Sequence, residues 1–284
     1  MSNSISFTKM HGIGNDFIVL NTIVHPIDEA QLPDLSIRLN HRKFGIGGDG
    51  LILVLPSRIA DFKMRMFNPD GSEAEMCGNG IRCFAKYLYD RKMIGDSQAK
   101  IETLAGVKIL KLNTKSGVVD TVRVDMGVPK LLRSEIPMRG NDNEQVISEA
   151  LKVDGKRYDI TAVSMGNPHV IVFENKLEDY PVARTGSLIE NHRSFPERTN
   201  VHFVHVLNQS EIEIKTWERG AGETLACGTG ACACAVASVL NGFTGRTVLV
   251  HLPGGDLKIE WLGDQRVLMT GQAEEVFEGE VSIS

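Results

Sequence analysis

The sequence predicts an α/β (α+β) fold with two similar units from an internal duplication, each a strand-rich, barrel-like sheet around a central helix. Three observations support this prediction. The chain has 284 residues, about twice a typical domain of about 150 residues. Runs with an apolar residue at every second position outnumber helical patterns. A Cys-Gly-x-Gly motif occurs twice, at 77–80 and 227–230, within two segments that align without a gap.

The strand predictions rest mainly on period-two alternation, which is typical of half-buried strands. Alternating runs lie at Phe62–Phe67, Thr121–Met126, Glu211–Lys215 and Leu257–Trp261. Leu51–Leu55 and Thr247–Val250 are apolar throughout or nearly so, which indicates more deeply buried strands.

Helical patterns are fewer, and we predict helices at about residues 28–41, 79–93 and 229–240. The third contains Ala231–Ala237, which has almost no polar face. Because a helix that is apolar all round is normally buried, we expect this helix at the centre of its unit. Asn241 and Gly242 follow it as a plausible C-cap.

The duplication rests on matches at a nearly constant offset. Residues 64–85 align with 214–235 at an offset of 150, and upstream Asn15 meets Asn167 and Asp49 meets Asn200 at offsets of 152 and 151. We therefore predict an N-terminal half of residues 1–128 with a return strand at 272–284, and a C-terminal half of residues 129–271.

Composition argues against several classes of function. Lys and Arg number 31 against 36 Asp and Glu, a net charge of −5, so no basic excess is present to bind nucleic acid. We expect no membrane span, because the longest apolar run is far below ~20 residues. The polar first ten residues indicate no signal peptide. Five cysteines without a CxxC pair fit neither a disulfide framework nor a zinc site, so we expect a cytoplasmic protein.

Cys77 and Cys227 each come directly before Gly-x-Gly and a predicted helix. Unpaired N–H groups and the helix dipole favour negative charge at a helix N-terminus, so we expect lowered thiol pKa values there. The same N–H groups can hold a substrate carboxylate. The other three cysteines, Cys83, Cys232 and Cys234, lie among apolar residues, and we expect them only to pack.

Two such units facing each other would present two thiols to one substrate. Inversion of a stereocentre needs this arrangement, because one group removes a proton from one face and another returns a proton to the opposite face. Two other functions remain open at this point. One is a cysteine hydrolase with Cys77 as nucleophile and His169 as base, and the other is a non-catalytic protein that binds a small molecule.

Six ordered motifs lie between residue 5 and about residue 280. They are His11–Phe17, Gly45–Asp49, Asn68–Arg82, Gly166–His169, Arg198–Val201, and Glu218-Arg-Gly followed by Cys227–Gly230. In this order they resemble the motifs of the diaminopimelate epimerases, and the first Cys motif, Asn68–Arg82, is highly specific in combination with the second.

The resemblance implies a function and a fold. It implies an isomerase that interconverts LL- and meso-2,6-diaminopimelate, for lysine and peptidoglycan synthesis, without pyridoxal phosphate, another cofactor or a metal. It implies two similar domains that close over the substrate, and a homodimer. A related two-thiol racemase of another amino acid remains the alternative within this chemistry.

The resemblance also implies roles for individual residues. Cys77 and Cys227 are the expected acid/base pair, and His169 and Glu218 are expected to tune the thiol pKa values. The expected substrate-binding residues are Asn15, Asn68, Gly78, Asn79, Asn167, Asn200, Glu218, Arg219, Gly228 and Thr229.

Two further positions carry separate expectations. Some family members have a Gln that contacts substrate where this chain has Gly50, so we leave Gly50 out of the site. We expect Arg82 on a solvated helix face or in a structural ion pair rather than on the substrate.

Overall fold

A computed structural model of the protein describes residues 4–282. The chain divides into two compact units, the first comprising the residues up to Val124 together with those from Gly271 onward, and the second comprising Asp125–Thr270. None of the helices within residues 4–282 has the length and hydropathy that a membrane span requires.

The described residues form eighteen strands and four α-helices. The strands are β1 Ser4–Gly12, β2 Asn15–Asn21, β3 Gly50–Leu55, β4 Phe62–Phe67, β5 Glu73–Ala74, β6 Gln98–Thr103, β7 Gly106–Lys115, β8 Val118–Asp125, β9 Glu149–Val153, β10 Lys156–Ser164, β11 Pro168–Phe173, β12 Asn200–Asn208, β13 Glu211–Glu218, β14 Gly222–Thr224, β15 Thr247–Leu252, β16 Gly255–Trp261, β17 Val267–Gln272 and β18 Glu274–Ser282. The helices are α1 Leu32–Asn40, α2 Gly78–Asp90, α3 Val182–Glu190 and α4 Gly228–Leu240.

The first unit pairs its strands in the order β18–β1–β2–β3–β4, with β5 and β6 both on β4 and then β7 and β8. The pairs β2–β3 and β4–β6 are parallel, and the others are antiparallel. A parallel pair needs a long crossover. The crossovers contain α1 between β2 and β3, and α2 between β4 and β6.

The second unit repeats this order with the same strand directions. It runs β9–β10–β11–β12–β13, with β14 and β15 both on β13 and then β16. The pairs β11–β12 and β13–β15 are parallel, and their crossovers contain α3 and α4. Each of these eight strands and each of the two crossover helices therefore has a counterpart in the first unit, which supports the duplication.

Helices α2 and α4 are the central helices. Helix α2 packs against β1, β2, β3, β4, β7 and β18, and α4 packs against β10, β11, β12, β13, β15 and β16. Every residue of Ala231–Ser238 is buried, so the prediction of a buried helix is confirmed. The small side chains of this helix allow strands to approach it from several sides.

Helices α1 and α3 cover the other face of each sheet. In β3, Leu51 and Leu53 belong to the cluster that includes Leu35 of α1. Between them, the side chain of Ile52 points to α2, where it lies 3.1 Å from the position that a Cβ on Gly80 would occupy. Both faces of β3 are therefore buried, which explains its continuous apolar run.

Helix α3 is not among the helices predicted from the sequence, and α1 is shorter than predicted. The buried residues Val182, Thr185, Gly186, Ile189 and Glu190 follow helical spacing, but three of the five are not apolar. The first turn predicted at residues 28–41 is instead a short 3₁₀ segment, followed by α1 at Leu32–Asn40.

We predict that Gly186→Ala destabilises the protein. A Cβ at Gly186 would lie 2.5 Å from the Trp217 Cβ, so α3 would have to move away from β13. We expect the free energy of unfolding in urea to fall by about 1–3 kcal/mol. The matched control is Gly263→Ala, because Gly263 has no heavy atom within 4 Å of the corresponding position. Equal losses in the two variants would contradict this account.

Candidate active site

The central helix of each unit begins directly after a cysteine. Cys77 is the N-cap of α2 and Cys227 is the N-cap of α4, and both have extended backbone angles. The Gly-x-Gly residues that follow form the first helical turn, where N–H groups lack intrahelical partners. Each thiol therefore lies beside a helix N-terminus that favours an anion.

The thiol of Cys77 lies among amide groups. The Gly80 N–H donates to its Sγ at 3.4 Å, and the thiol donates to Asn15 Oδ1 at 3.9 Å. Asn79 Nδ2 also donates to Asn15 Oδ1, at 3.1 Å. The structure thus brings together Cys77, Asn15 and Asn79, and Gly78 is buried at the start of the helix.

On the side away from Cys77, Asn15 contacts a network of charged side chains. Asn15 Nδ2 donates to Asp49 Oδ2 at 2.7 Å, and Arg42 pairs with both Asp49 and Asp16. Burial raises the pKa of Asp16, but hydrogen bonds from Arg42 and Lys9 outweigh burial and lower it to about 2. The Asp49 carboxylate, which also pairs with Arg42, thus fixes which end of the Asn15 amide faces Cys77.

Asn68 follows β4, and its side chain takes part in a turn. Its Nδ2 donates to Ser72 Oγ at 3.0 Å, and its carbonyl accepts from Gly71 N–H and from Ser36 Oγ. The structure therefore places Asn68 in the Asn68–Ser72 turn and not in the hydrogen-bonded group of Cys77, Asn15 and Asn79.

The thiol of Cys227 is buried and close to a carboxylate. Burial raises its pKa well above the ordinary value, and the negative charge of Glu218 raises it further. The Gly230 N–H and the Thr229 hydroxyl, 3.7 Å from Sγ, oppose this effect. The expectation of a lowered thiol pKa at this helix N-terminus is therefore wrong for Cys227, because burial and Glu218 outweigh the helix.

Glu218 and Arg219 lie at the end of β13, beside Asn200. Glu218 Oε1 accepts from Thr224 Oγ1 at 2.6 Å, and Asn200 Oδ1 accepts from the Arg219 N–H at 3.0 Å. Asn200 also donates to the Pro168 carbonyl at 2.8 Å. The structure thus brings three of the predicted substrate-binding residues together.

The buried carboxylate of Glu190, at the end of α3, anchors this segment. It accepts from Trp217 Nε1 at 2.7 Å and from the Gly220 N–H at 3.1 Å. These two bonds flank Glu218 and Arg219. Sequence reasoning missed Glu190 because it lies in the helix that was not predicted.

Asn167 and His169 connect Thr229 to the interior of the second unit. Asn167 Nδ2 donates to Thr229 Oγ1 at 3.5 Å, and His169 Nε2 lies 2.9 Å from Asn167 Oδ1. The other ring nitrogen of His169 lies 2.8 Å from Nε2 of His202. Burial lowers the pKa of both histidines, that of His202 to about 3.

His202 is a residue that sequence reasoning missed. It lies in β12 among apolar residues, outside every motif. The sequence feature connected with it is Gly230, because a Cβ at that position would lie 2.2 Å from the His202 ring. The second glycine of this Cys-Gly-x-Gly motif therefore makes room for an imidazole.

The structure corrects the expectation for Arg82. The side chain is fully buried and not on a solvated helix face. It donates to the carbonyls of Gly78 and Gln272, at 3.0 and 3.1 Å. Arg82 therefore supports the first turn of α2 from inside.

Gly50 is buried in β3. A Cβ at this position would lie 2.7 Å from the terminal methyl of Met66, so Met66 fills the space that a longer side chain would enter. Within residues 4–282, His, Cys, Asp and Glu residues do not cluster in threes in a way that could hold a metal.

Comparison with known proteins agrees with the motifs. A family model described as diaminopimelate epimerase matches residues 7–132 and 161–276. The chain is 56% identical over 274 residues to diaminopimelate epimerase of Pelotomaculum thermopropionicum, which covers 96% of this chain and 98% of that protein. It is 51% identical over 280 residues to diaminopimelate epimerase of Methanococcus maripaludis, with coverages of 98% and 100%.

Solved structures share the fold at low identity. A phenazine biosynthesis protein of the PhzF family from Bacillus anthracis matches with a TM-score of 0.72 and 17% identity, over 99% of each chain. A hydroxyproline epimerase from Agrobacterium vitis matches with a TM-score of 0.69 and 16% identity, over 100% of this chain and 94% of that chain. The predicted strand-rich, two-domain fold class is confirmed.

We predict that Glu218→Gln speeds alkylation of Cys227 in the substrate-free protein. Only the thiolate reacts, and removing the carboxylate charge removes one cause of the raised pKa. Each pKa unit recovered increases the thiolate fraction roughly tenfold. Rates of iodoacetamide labelling at pH 8, assigned to Cys227 by peptide mapping, measure this. Glu213→Gln, on the same strand, is the control, and equal rates in the two variants would contradict the role of Glu218.

Proposed function

The chain belongs to the diaminopimelate epimerase family, and from this premise we propose that it interconverts LL- and meso-2,6-diaminopimelate by proton transfer between two thiols. The observation that supports the two-thiol mechanism is the doubled arrangement. Cys77 and Cys227 each begin a buried central helix. Each has an asparagine nearby, Asn15 by direct contact and Asn167 through Thr229.

The proposed reaction needs only proton transfers. One thiolate takes the α-proton and becomes a thiol, and the electron pair of the broken C–H bond stays on the α-carbon and its carboxylate. The second thiol then gives its proton to the opposite face and becomes a thiolate. In the reverse direction the two cysteines exchange roles, and because neither step needs an electron acceptor, we propose that no cofactor takes part.

The helix N-termini supply the stabilisation that this carbanion-like state needs. Negative charge grows on the α-carboxylate as the proton leaves, and fixed N–H dipoles at Gly78–Asn79 and Gly228–Thr229 favour that charge. Fixed dipoles need no reorganisation during the reaction. Burial around α2 and α4 keeps bulk water from weakening them.

The substrate is an amino acid with an ammonium and a carboxylate at each end. Asn15, Asn68, Asn167 and Asn200 offer both donors and acceptors without net charge. Arg219 suits the distal carboxylate, because a guanidinium can bind it in a bidentate manner. Glu218 suits an ammonium group and also acts on Cys227. His169 acts through Asn167 and Thr229.

The biological setting follows from this chemistry. We propose a role in the synthesis of lysine and of peptidoglycan precursors, and a cytoplasmic homodimer. Five free cysteines suit a reducing compartment. Most residues of strand β18 are exposed, among them the apolar Val276 and Phe277, and a second chain could cover such a surface.

We predict that the reduced protein, with no added cofactor, incorporates deuterium at the α-carbon of LL-diaminopimelate in D₂O. Cys77→Ala and Cys227→Ala should each reduce epimerisation by about 100-fold or more, because each removes an acid/base group. Cys83→Ala and Cys234→Ala are matched controls, since both thiols are buried in the same two helices away from the N-termini.

Two outcomes would overturn this mechanism. No exchange in the unsubstituted protein would refute the epimerase proposal and favour a hydrolase or a binding protein. Exchange that survives both active-site substitutions would refute the two-thiol mechanism.

We also predict that Arg219 distinguishes diaminopimelate from other amino acids. Arg219→Met should raise KM for diaminopimelate about tenfold or more, because a bidentate carboxylate contact is lost. Slow exchange of L-lysine, which has no distal carboxylate, should not change. Arg184→Met, an exposed arginine of the same unit, is the control. Faster exchange of a different amino acid would instead support the related racemase.

A further inference from the structure

Strand register identifies equivalent positions in the two units. Phe17 pairs with Gly50 where His169 pairs with Asn200, so Gly50, and not Asp49 as the sequence alignment predicts, is the counterpart of Asn200. Ile52 pairs with Met66 where His202 pairs with Thr216. Gly80 and Gly230 agree with this alignment, because a Cβ on the first would meet Ile52 and on the second His202.

Three equivalent positions beneath the central helix therefore have opposite chemistry. The first unit has Phe17, Ile52 and Met66, and all three are buried. The second unit has His169, His202 and Thr216, also all buried. Since the first unit forms the same sheet and helix with apolar side chains, the fold does not require polar groups here.

The polar residues of the second unit form a continuous hydrogen-bonded chain. Thr216 Oγ1 lies 3.0 Å from His202 Nδ1, and His202 Nε2 lies 2.8 Å from His169 Nδ1. His169 Nε2 lies 2.9 Å from Asn167 Oδ1, and Asn167 Nδ2 lies 3.5 Å from Thr229 Oγ1. Thr229 Oγ1 finally lies 3.7 Å from Cys227 Sγ. We call these five residues and Cys227 the Thr216–Cys227 chain.

The hydrogen bonds of the Thr216–Cys227 chain all donate in one direction, from Thr216 towards Cys227. An amide oxygen only accepts, so His169 Nε2 carries the proton and donates to Asn167. The neutral ring then accepts at Nδ1, so the proton of His202 is also on Nε2 and the Thr216 hydroxyl donates to Nδ1. Both rings are neutral, because burial lowers their pKa values. Thr229 accepts from Asn167, which leaves its hydroxyl hydrogen available to Sγ.

The equivalent asparagine of the first unit has the opposite orientation. The carboxylate of Asp49 accepts from Asn15 Nδ2, so Asn15 presents its oxygen to Cys77. In the second unit His169 donates to the asparagine oxygen, so Asn167 presents its nitrogen to Thr229. The hydrogen-bond partner of each asparagine, Asp49 or His169, therefore decides whether the amide oxygen or the amide nitrogen points towards the cysteine.

We propose that His202 and Thr216 are positioning residues that fix the Nε2–H tautomer of His169, so that Asn167 and Thr229 direct a hydrogen bond to the Cys227 thiolate. This proposal extends the proposed function, because a stabilised thiolate at Cys227 is the base for one direction of epimerisation. The Thr229 hydroxyl lowers the pKa of Cys227, as such a bond should.

Other charged groups also shift the pKa values of Cys227 and His169. The carboxylate of Glu218 raises the pKa of Cys227, and the guanidinium of Arg219 lowers that of His169. A test must therefore change the chain without changing either charge. Thr216→Val does so, because it replaces a buried hydroxyl by a methyl of the same shape.

The experiment compares three variants of the full-length, substrate-free protein. Thr216→Val removes the terminal donor, Thr216→Ser keeps it, and Thr161→Val is the matched control. Thr161 is also fully buried, in β10 of the same unit. Its hydroxyl accepts from Ser148 and Asn241, which do not belong to the Thr216–Cys227 chain. Proton-coupled ¹⁵N spectra identify the protonated ring nitrogen of each histidine, and iodoacetamide labelling at pH 9 measures thiolate formation at Cys227.

We expect Nε2–H tautomers for His169 and His202 in the unsubstituted protein, in Thr216→Ser and in Thr161→Val. Thr216→Val should show mixed tautomers and label Cys227 at least threefold more slowly. Its kcat should fall more than its KM rises, because proton transfer and not substrate binding is affected. His202→Ile, which copies Ile52, replaces Thr216→Val if the valine variant does not fold. It should likewise show mixed tautomers for His169 and slower labelling of Cys227.

An Nδ1–H tautomer in the unsubstituted protein would overturn the proposal. So would an unchanged labelling rate in Thr216→Val, or an equal change in Thr161→Val. The tautomer and labelling measurements use no substrate, so they test the chain even if the protein does not catalyse epimerisation.

Discussion

The structure depends on burying the first turn of a helix inside a curved sheet. A helix N-terminus carries N–H groups that its own backbone cannot satisfy, and in α2 and α4 strands surround that turn. Gly80 and Gly230 in this turn allow the side chains of Ile52 and His202 to come close. An anion is the natural partner for such N–H groups. The requirement to satisfy a buried helix end therefore produces both a place for a carboxylate and a fixed cysteine beside it.

Duplication supplied this arrangement twice, but the two thiols have different electrostatic surroundings. Cys77 faces an asparagine that an anionic carboxylate orients, within a cluster of Lys9, Asp16, Arg42 and Asp49. Cys227 lies close to Glu218 and is connected to two neutral histidines. At neutral pH Cys227 holds its proton because burial and Glu218 both disfavour the thiolate. A two-thiol exchange needs unequal protonation, with one acid and one base present at a time.

Local patterns predicted the parts of the fold that follow simple periodicity. The alternating strands, the apolar helix α4 and the offset of about 150 residues were all readable, because each repeats a short pattern. Helix α3 was not, because Thr185 and Gly186 occupy buried positions where apolar residues were expected. Gly186 is needed for contact with Trp217, which lies 31 residues further along the chain, so no local pattern could show its role.

Sequence motifs mark the candidate residues of the site but not their electrostatic surroundings. Motifs marked Cys77 and Cys227, and a helix N-terminus alone would lower both thiol pKa values. The pKa of Cys227 depends instead on burial and on Glu218, which belongs to another element. Arg82 and His202 show the same limit, since their burial follows from tertiary packing and not from neighbours in sequence.

The two units differ in the polarity of the side chains buried beneath their central helices. Buried polar groups cost free energy unless each finds a partner, so a single histidine in place of Ile52 would destabilise the first unit. A complete series from Thr216 to Thr229 avoids that cost, because each donor meets an acceptor. The series has one end at a thiol that can gain or lose a proton. Its members are therefore coupled to one another, and the direction set at Thr216 and His202 extends to the Thr229 hydroxyl beside Cys227.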